Sequence, residues 1–275
     1  MKNLNTYYIT YPNMGDHLNV LILENIFGYT PIRKTPINCK LSGIGSGLGK
    51  FCYADKAWLR TAEFFTGKIW PKVYVWGTGF MEYREDRPFF RKNMFFCATR
   101  GELSKKRVEK LIGKSLRNMP TCDGGILANE LLNKLPEKKY QVGIIPHIKE
   151  QKENEFKELA ARFEDSVIID LLADPLGVVK QMAECEYIIS SSLHGLIVAD
   201  SFHIPNVHVK VTNNMMGDGF KYDDYFSGYG IEHLQFNAEQ ITDVNFIKDH
   251  WIVPENLIEK KKKQMKECFP YPILK

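Results

Sequence analysis

The segment Glu186-Tyr-Ile-Ile-Ser-Ser-Ser-Leu-His-Gly-Leu-Ile-Val-Ala-Asp-Ser201 leads from one apolar run through three serines into a second apolar run. The first run, Tyr187–Ser190, has the composition of a buried strand, and the second predicts a helix over His194–Phe202. Ligands of open α/β sheets bind outside the carboxyl ends of the strands, which is where these serines lie. The segment therefore predicts a parallel sheet with a ligand site at its edge.

Strand and helix patterns alternate along the rest of the chain, which indicates βαβ units. The other predicted strands are Val73–Trp76, Gln141–Ile145, Ser166–Ile169 and Asn206–Val209. The other predicted helices are Leu18–Asn25, Glu102–Ile112, Asn154–Phe163, Pro175–Ala183 and Pro254–Phe269. The polar stretch Asn133–Lys139 separates two groups of elements. We therefore predict an α/β protein with two Rossmann-like domains, residues 1–135 and 136–253, and a C-terminal helix within residues 254–275.

Composition excludes several classes of protein. The chain has 275 residues, of which 44% are hydrophobic and 25% charged, as in folded globular proteins. A surplus of 37 Lys and Arg over 33 Asp and Glu is too small to indicate a nucleic-acid partner. The first 20 residues lack the apolar core of a signal peptide, and no segment offers about 20 apolar residues, so a cytoplasmic location is expected. Six cysteines without a CxxC pair and seven histidines without HExxH predict no structural metal.

The serine turn is the leading candidate site. A helix that begins there presents free N–H groups and a positive dipole end to an anion, and the hydroxyls of Ser190, Ser191 and Ser192 could add donors. His194 would lie beside the anion, where an imidazole can transfer protons near neutral pH. The alternative is that the serines only cap the helix and that His194 hydrogen-bonds within the protein. The residues alone leave both interpretations open.

Two glycine-rich segments precede the serine turn in the sequence, Ser42–Gly49 and Trp76–Phe80. Their spacing fits neither GxGxxG nor the Walker A motif. Gly77, Thr78 and Gly79 nevertheless follow a strand, where glycines allow a ligand to approach the backbone. Tight turns without a ligand are the alternative.

Further polar side chains lie near predicted element ends. Asp16, His17 and Asn19 fall on a loop or first helical turn, where Asp16 could act only as an N-cap. His147 ends a predicted strand in the second half, as His194 follows one.

Two cations and a run of lysines complete the candidates. Arg100 precedes a helix and suits a phosphate or carboxylate, with an internal salt bridge as the alternative. Lys221 lies in an aromatic-rich segment, Lys221–Gly228, interpreted as a loop that could contact a sugar or an anion, or as a plain surface loop. The run Lys260–Lys263 is interpreted as a solvated helix face, with membrane-surface contact as the minority alternative.

In their order along the chain, these segments resemble the polysaccharide pyruvyl transferase family. The decisive stretch is Ile188–Asp200 followed by His203–Val207, and the resemblance extends from about Tyr11 to Tyr229. The supporting segments are Asn13–Asp16, Gly43–Ser46, Trp76–Phe80, Arg100–Gly101, Asp123–Gly125, Ile145–His147 and Lys221–Asp224. The Ser-Leu-His-Gly element is the most specific of them.

The resemblance implies a fold similar to that of GT-B glycosyltransferases, with a cleft between the two domains and the C-terminal helix packing back toward the first. It implies transfer of a pyruvyl group from phosphoenolpyruvate onto two hydroxyls of one sugar, which forms a cyclic ketal and releases phosphate. No cofactor is implied. The acceptor would belong to a bacterial-type capsule, exopolysaccharide or cell-wall glycan, free or lipid-linked, with peripheral attachment at the inner membrane face as an option.

By the same resemblance, His194 is the main acid or base, and Asp16 and His147 face the cleft as further catalytic residues. Ser191, Ser192, Gly195 and the helix start would hold a donor oxyanion. Arg100 and Lys221 would neutralise phosphate or carboxylate, while His17, Asn19, Gly77, Thr78 and Gly79 would bind substrate.

One position departs from the family pattern. Many members carry arginine two residues before the motif histidine, where this chain has Ser192. The missing charge could then come from Arg100, Lys210 or Lys221, or the donor site could be rearranged. Two other functions stay open: a GT-B glycosyltransferase that uses a nucleotide-sugar, since fold alone does not fix function, and a non-catalytic glycan-binding homologue.

Overall fold

Two parallel five-stranded sheets form the framework of the protein in the computed structural model. The structure describes residues 1–10, 12–54, 60–61, 64–65, 69–84, 87–212 and 217–271. The first sheet has the order β2-β1-β3-β4-β5 and the second the order β10-β9-β8-β6-β7. The strands are β1 (Lys2–Tyr7), β2 (Tyr29–Arg33), β3 (Leu41–Ser42), β4 (Val73–Trp76), β5 (Met94–Ala98), β6 (Tyr140–Ile145), β7 (Ser166–Ile168), β8 (Cys185–Ser190), β9 (Asn206–Val209) and β10 (Gln235–Phe236).

The two sheets share one topology. Counted from its own first strand, each has the spatial order 2-1-3-4-5, so each has a switch point between its first and third strands. These points lie between β1 and β3 in the first sheet and between β6 and β8 in the second. The prediction of two Rossmann-like α/β units is confirmed, and the predicted boundary at residue 135 falls between the sheets.

Helices cover the sheets at positions close to those predicted. They are α1 (Met14–Asn25), α2 (Glu102–Ile112), α3 (Glu155–Ala160), α4 (Pro175–Ala183), α5 (Leu193–Ser201), α6 (Phe220–Ser227), α7 (Val244–His250) and α8 (Glu255–Glu267). Short 3₁₀ helices occupy Leu48–Phe51, Gly124–Leu131 and Ala238–Gln240. The helix α3 is shorter than predicted and is followed by turns up to the next strand.

The interpretation of Lys221–Gly228 as a loop is wrong. Residues Phe220–Ser227 form the helix α6, and most of its side chains are buried. Its aromatic residues explain this burial: Tyr222 stacks on His208, and Tyr225 donates a 2.8 Å hydrogen bond to Asp200. The segment resembled a loop because its two adjacent acids and its final glycine carry no clear helical periodicity.

The helix α8 packs back onto the first half of the chain. Trp76 Nε1 donates a 2.9 Å hydrogen bond to the Met265 carbonyl, and Phe269 stacks on Phe27 with ring centroids 3.8 Å apart. The lysine run on α8 is not a uniform solvated face, because Lys262 is buried and Lys261 donates to Thr121. Among the described residues, no helix is long and apolar enough to span a membrane.

A fully buried ion pair joins α6 to the first half. The Arg100 guanidinium contacts Asp224 at 2.9 Å, and both side chains are wholly excluded from solvent. Asp224 also accepts hydrogen bonds from the Ser104 backbone and hydroxyl at 2.7 and 2.6 Å. Gly101 makes this approach possible, since a Cβ there would lie 1.5 Å from the Asp224 carbonyl oxygen. The pair therefore fixes the second half against α2.

Replacing Asp224 by Asn should destabilise the protein by about 3–5 kcal/mol, because it leaves the buried Arg100 charge without its partner. Urea denaturation at pH 7 measures this loss. Glu267→Gln is the control, since Glu267 faces Lys263 in an exposed pair 3.9 Å apart and its removal should change the midpoint little. Equal midpoints for the two variants would contradict the assignment.

Candidate functional site

A cavity of about 90 Å³ lies where the two switch points face each other. Five of the predicted site residues line it, and they come from both halves of the chain: Asp16, His147, Ser192, His194 and Lys221. The other lining residues are Ile9, Asn13, Gly45, Ser46, Met81, Ile148, Leu171 and Leu193. The common topology explains this convergence, because the carboxyl ends of β1, β3, β6 and β8 all open toward the same space.

His194 fits into a space left by Gly15. A Cβ on Gly15 would lie 2.3 Å from His194 Nδ1. Gly45 lies on another side of the ring, where a Cβ would make only an ordinary contact with Cε1 at 3.9 Å, and its φ of +102° is the reason that glycine is favoured there. Gly15 of the first half therefore makes room for the imidazole of the second. The Nε2 atom of His194 is buried and has no hydrogen-bond partner among the described residues.

Asn19 holds the glycine loop in place. Its side-chain oxygen accepts from the Ile44 N–H at 2.9 Å, and its amide donates to the Ile44 carbonyl at 3.2 Å. Asp123 accepts from the Gly45 N–H at 3.4 Å. Asn19 is buried and does not line the cavity, so the structure gives it a role in positioning the loop that faces His194.

The serine turn binds mainly to itself and to β6. Ser190 Oγ accepts from Ser192 N–H at 2.9 Å, and Gly195 allows this hydroxyl to approach because a Cβ there would lie 2.2 Å from it. Ser191 Oγ accepts from the His147 N–H at 2.8 Å. Of the three serines, only Ser192 lines the cavity. The turn therefore ties the two strand ends together and presents Ser192 and His194.

Lys221 brings a positive charge into the cavity. Its side chain is buried, its Nζ lies 5.0 Å from the Tyr222 ring centroid, and burial lowers its pKa to about 8, with a further contribution from Arg100. Of the three cations considered as replacements for the motif arginine, Lys221 is the one that lines the cavity. Arg100 instead binds Asp224, Ser46 and the Phe80 carbonyl, which is the internal salt bridge left open above.

Burial also shifts the pKa values of Asp16, His147 and His194. It raises the pKa of Asp16 to about 6, against the hydrogen bond from Asn13. It lowers the pKa of His147 to about 4 and that of His194 to about 3, with Lys221 as the next cause in both cases. At neutral pH both imidazoles are therefore uncharged bases, and Asp16 is closer to protonation than an ordinary carboxyl group.

Other predicted substrate-binding residues lie outside the cavity lining. The Gly124 backbone, and not a ligand site, occupies the space beside Gly77, since a Cβ on Gly77 would lie 2.8 Å from the Gly124 nitrogen. Gly79 leaves the same kind of space for Arg100, and Thr78 Oγ1 bonds Gly45 and Gly47. His17 is exposed on α1, because the helix turns it away from the face that carries Asp16.

A larger groove of about 450 Å³ adjoins the cavity and shares Ile9, Ser46 and Met81 with it. Its other lining residues are Tyr7, Thr10, Arg33, Gly49, Lys50, Phe80, Glu82, Arg84 and Arg107. Four cations and one acid thus surround a floor that contains two aromatic rings. No sequence motif marks this groove, because its residues come from strands, helices and loops that are far apart along the first half of the chain.

Comparison with known proteins identifies the family. A sequence model described as polysaccharide pyruvyl transferase matches residues 13–213, which is most of the chain. The protein belongs to the polysaccharide pyruvyl transferase family. This match includes the glycine loops, Arg100, His147 and the serine turn, and it ends before Lys221.

Individual similar proteins either share a low sequence identity with this chain or match less than half of its length. The uncharacterized protein L143 of Acanthamoeba polyphaga mimivirus is 38% identical over 133 residues, which cover 46% of this chain and 46% of that protein. An uncharacterized Klebsiella pneumoniae protein has a similar structure with 12% identity and a TM-score of 0.48, covering 85% of this chain and 92% of that one. The E. coli heptosyltransferase WaaC with ADP follows at 14% identity and a TM-score of 0.39, covering 95% of this chain and 100% of that one.

Gly15→Ala should displace the His194 imidazole, since the new methyl group would overlap Nδ1. We expect a loss of about 1–3 kcal/mol in stability, typical of overpacking, and altered ¹⁵N shifts of the His194 ring. Gly49→Ala is the control, because its nearest new contact is at 3.6 Å. Unchanged His194 shifts in Gly15→Ala would disprove this packing.

Anion binding in the cavity should weaken above pH 8. Because the folded pKa of Lys221 is about 8, its charge is present below that pH and is lost as the pH rises through it. The dissociation constant of inorganic phosphate, measured by calorimetry, should then rise roughly tenfold per pH unit. Lys221→Arg should retain binding to higher pH, because arginine stays protonated. Undiminished binding by the wild-type protein at pH 10 would remove Lys221 from the site.

Proposed function

We propose that this family member transfers a pyruvyl group from phosphoenolpyruvate onto two hydroxyls of a sugar in a bacterial-type surface polysaccharide or its lipid-linked precursor. The product is a cyclic pyruvate ketal, and phosphate is released. The observation that carries this proposal is the buried Lys221 ammonium in one cavity with His194, His147 and Asp16. A cation, bases and a nearly neutral acid are the groups that this chemistry requires.

The donor would be held by two positive features. Lys221 faces the cavity from α6, and α5 begins there at Leu193, so its free N–H groups and dipole favour an anion. Phosphoenolpyruvate carries two anionic groups, a phosphate and a carboxylate, so Lys221 could bind one of them and the start of α5 the other. Ser192 would add a neutral donor at the position where many family members have arginine.

The reaction balances with this set of groups. A proton adds to C3 of the enol, which leaves positive charge on C2, and a sugar hydroxyl attacks C2 and loses its proton. The bond from C2 to the phosphate oxygen then breaks, and a second hydroxyl attacks C2 to close the ring. Of the two hydroxyl protons, one replaces the proton delivered to C3 and the other leaves with phosphate.

The pKa values suggest a division of roles. Asp16, with a pKa of about 6, would deliver the proton to C3, because burial keeps part of its population protonated near neutral pH. His194, uncharged with a pKa of about 3, would accept the proton of the attacking hydroxyl. The negative donor then stabilises the imidazolium that forms. His147, which follows β6 at the same switch point as His194, would orient the acceptor.

The acceptor would occupy the adjoining groove. The groove is larger than the cavity, and an aromatic ring such as that of Tyr7 suits the apolar face of a sugar. It opens onto the cavity at Ser46, so a sugar lying in it would bring its hydroxyls to the donor.

Ligand-induced thermal stabilisation tests the donor. Only ligands that bind the folded state raise the melting temperature, so phosphoenolpyruvate should raise it and nucleotide-sugars should not. Mass spectrometry of candidate glycans incubated with phosphoenolpyruvate should then show one added pyruvyl ketal. Stabilisation by nucleotide-sugars alone would instead favour a glycosyltransferase, and glycan binding without turnover would favour a non-catalytic homologue.

His194→Ala should reduce ketal formation by about 100-fold or more while the protein stays folded, because general base catalysis is lost. His17→Ala is the matched control, since His17 is exposed on α1 and outside the cavity, and it should retain wild-type turnover. Near wild-type turnover by His194→Ala would exclude His194 from the mechanism.

A further inference from the structure

Ser46 lies where the cavity meets the adjoining groove, and none of the roles above uses its hydroxyl group. Three described residues line both spaces, Ile9, Ser46 and Met81, and Ser46 is the one with a polar side chain. The residue is partly exposed, as expected of a group that faces an open space. A substrate that extends from the groove into the cavity therefore passes this hydroxyl group.

A hydrogen bond from Arg100 determines what the Ser46 hydroxyl can do. Arg100 Nη1 donates to Ser46 Oγ at 2.7 Å. Because a guanidinium group has no acceptor, Ser46 Oγ must be the acceptor in this bond, and its own proton must point elsewhere. Among the described residues no atom accepts that proton, and the Ser46 backbone N–H is also without an acceptor. The hydroxyl group is thus available as a donor to a ligand.

Arg100 is held in the position from which it donates to Ser46. Its Nε donates to Asp224 at 2.9 Å, and its Nη2 donates to the Phe80 carbonyl. The side chain is wholly excluded from solvent, and hydrogen bonds are electrostatically stronger there than in water. Because hydrogen bonds in a chain polarise one another, the guanidinium charge makes the Ser46 hydroxyl a better donor. Arg100 does not line the cavity, so it acts on a ligand there through Ser46.

Thr78 fixes the turn on both sides of Ser46. Its Oγ1 donates to the Gly45 carbonyl at 2.9 Å and accepts from the Gly47 N–H at 3.0 Å. The Gly79 N–H donates to the same Gly45 carbonyl at 2.9 Å. Gly45 has the positive φ that this turn requires. Thr78, which was predicted to bind substrate, therefore positions the residue that faces it.

We propose that Ser46 donates a hydrogen bond from its hydroxyl group to the phosphate group of the donor. This inference rests on the proposed function. In that reaction an acceptor hydroxyl in the groove attacks C2 of a donor in the cavity, so C2 and the phosphate oxygen bonded to it lie near the junction, beside Ser46. As the bond from C2 to this oxygen breaks, negative charge grows on the phosphate. The hydrogen bond then strengthens, while the proton stays on Ser46 Oγ.

Phosphate binding tests the contact without any turnover. Ser46→Ala removes the hydroxyl group, so the dissociation constant of inorganic phosphate, measured by calorimetry, should rise roughly tenfold, as for one hydrogen bond to a charged group. The ratio of the variant and wild-type constants should be equal at pH 6 and pH 9, because neither a hydroxyl nor a guanidinium group titrates in this range.

Three results of this measurement would overturn the proposal. The first is an unchanged dissociation constant in Ser46→Ala. The second is a ratio that varies with pH, which would show that the variant acts through Lys221. The third is a wild-type protein that does not bind phosphate.

Control variants separate the donated hydrogen bond from a loss of structure. Ser46→Thr keeps a hydroxyl group on the same turn and should bind phosphate like the wild type. Ser115→Ala should also leave the constant unchanged, since Ser115 is exposed and lines neither space. An equal loss of affinity in Ser46→Thr and Ser46→Ala would contradict donation by the hydroxyl. If Ser46→Ala does not fold because Arg100 loses an acceptor, Ser46→Cys gives the same test, since a thiol is only a weak donor.

Turnover is measured separately, with phosphoenolpyruvate and an acceptor glycan. Ser46→Ala should lower kcat by about 100-fold with a smaller change in KM, because the hydrogen bond is strongest as phosphate leaves. Ser115→Ala should retain the wild-type kcat. Equal kcat values for Ser46→Ala and the wild type would overturn the proposal. Absence of ketal formation by the wild-type protein would instead overturn the proposed function and leave the phosphate contact of Ser46 standing.

Discussion

The ion pair between Arg100 and Asp224 is the interaction on which the geometry of the site depends. Two charges excluded from water stabilise a structure only when each satisfies the other, and here Ser104 and Ser46 complete the set of partners. The pair attaches α6 to the first half, and α6 also carries Lys221 and Tyr222. Because Tyr222 donates to the Ser191 carbonyl at 2.8 Å, the same helix fixes the serine turn. Loss of the pair would release both the cation and the turn.

The site combines incomplete halves. The first half contributes glycines, an acid and loop backbone, and the second contributes two imidazoles, a serine and the lysine. Neither set alone surrounds the cavity. His194 shows this most clearly, since its imidazole comes from α5 and the space for it comes from Gly15 on α1. The first turn of α1 is therefore shaped to receive a side chain of the other half.

Much of the fold follows from local sequence, and less of the site does. Runs such as those of β4, β8 and β9 are short, apolar and β-branched, so their positions were predictable from composition and spacing. The helix α6 was missed because its stability comes from tertiary burial of aromatic side chains rather than from helical periodicity. Asp16, His147 and His194, which line the cavity, could be named in advance because each follows a strand. The groove depends on distances between separate elements, which no local pattern encodes.

The packing of α8 has a consequence for the order in which the protein can fold. Trp76 and Phe27 belong to the core of the first half, yet they are covered by Met265 and Phe269. During synthesis on the ribosome, this part of the first core stays open until the whole second sheet has been made. The first half therefore completes its core only after the second half has been made, and until then the nascent chain exposes aromatic surface at Trp76 and Phe27.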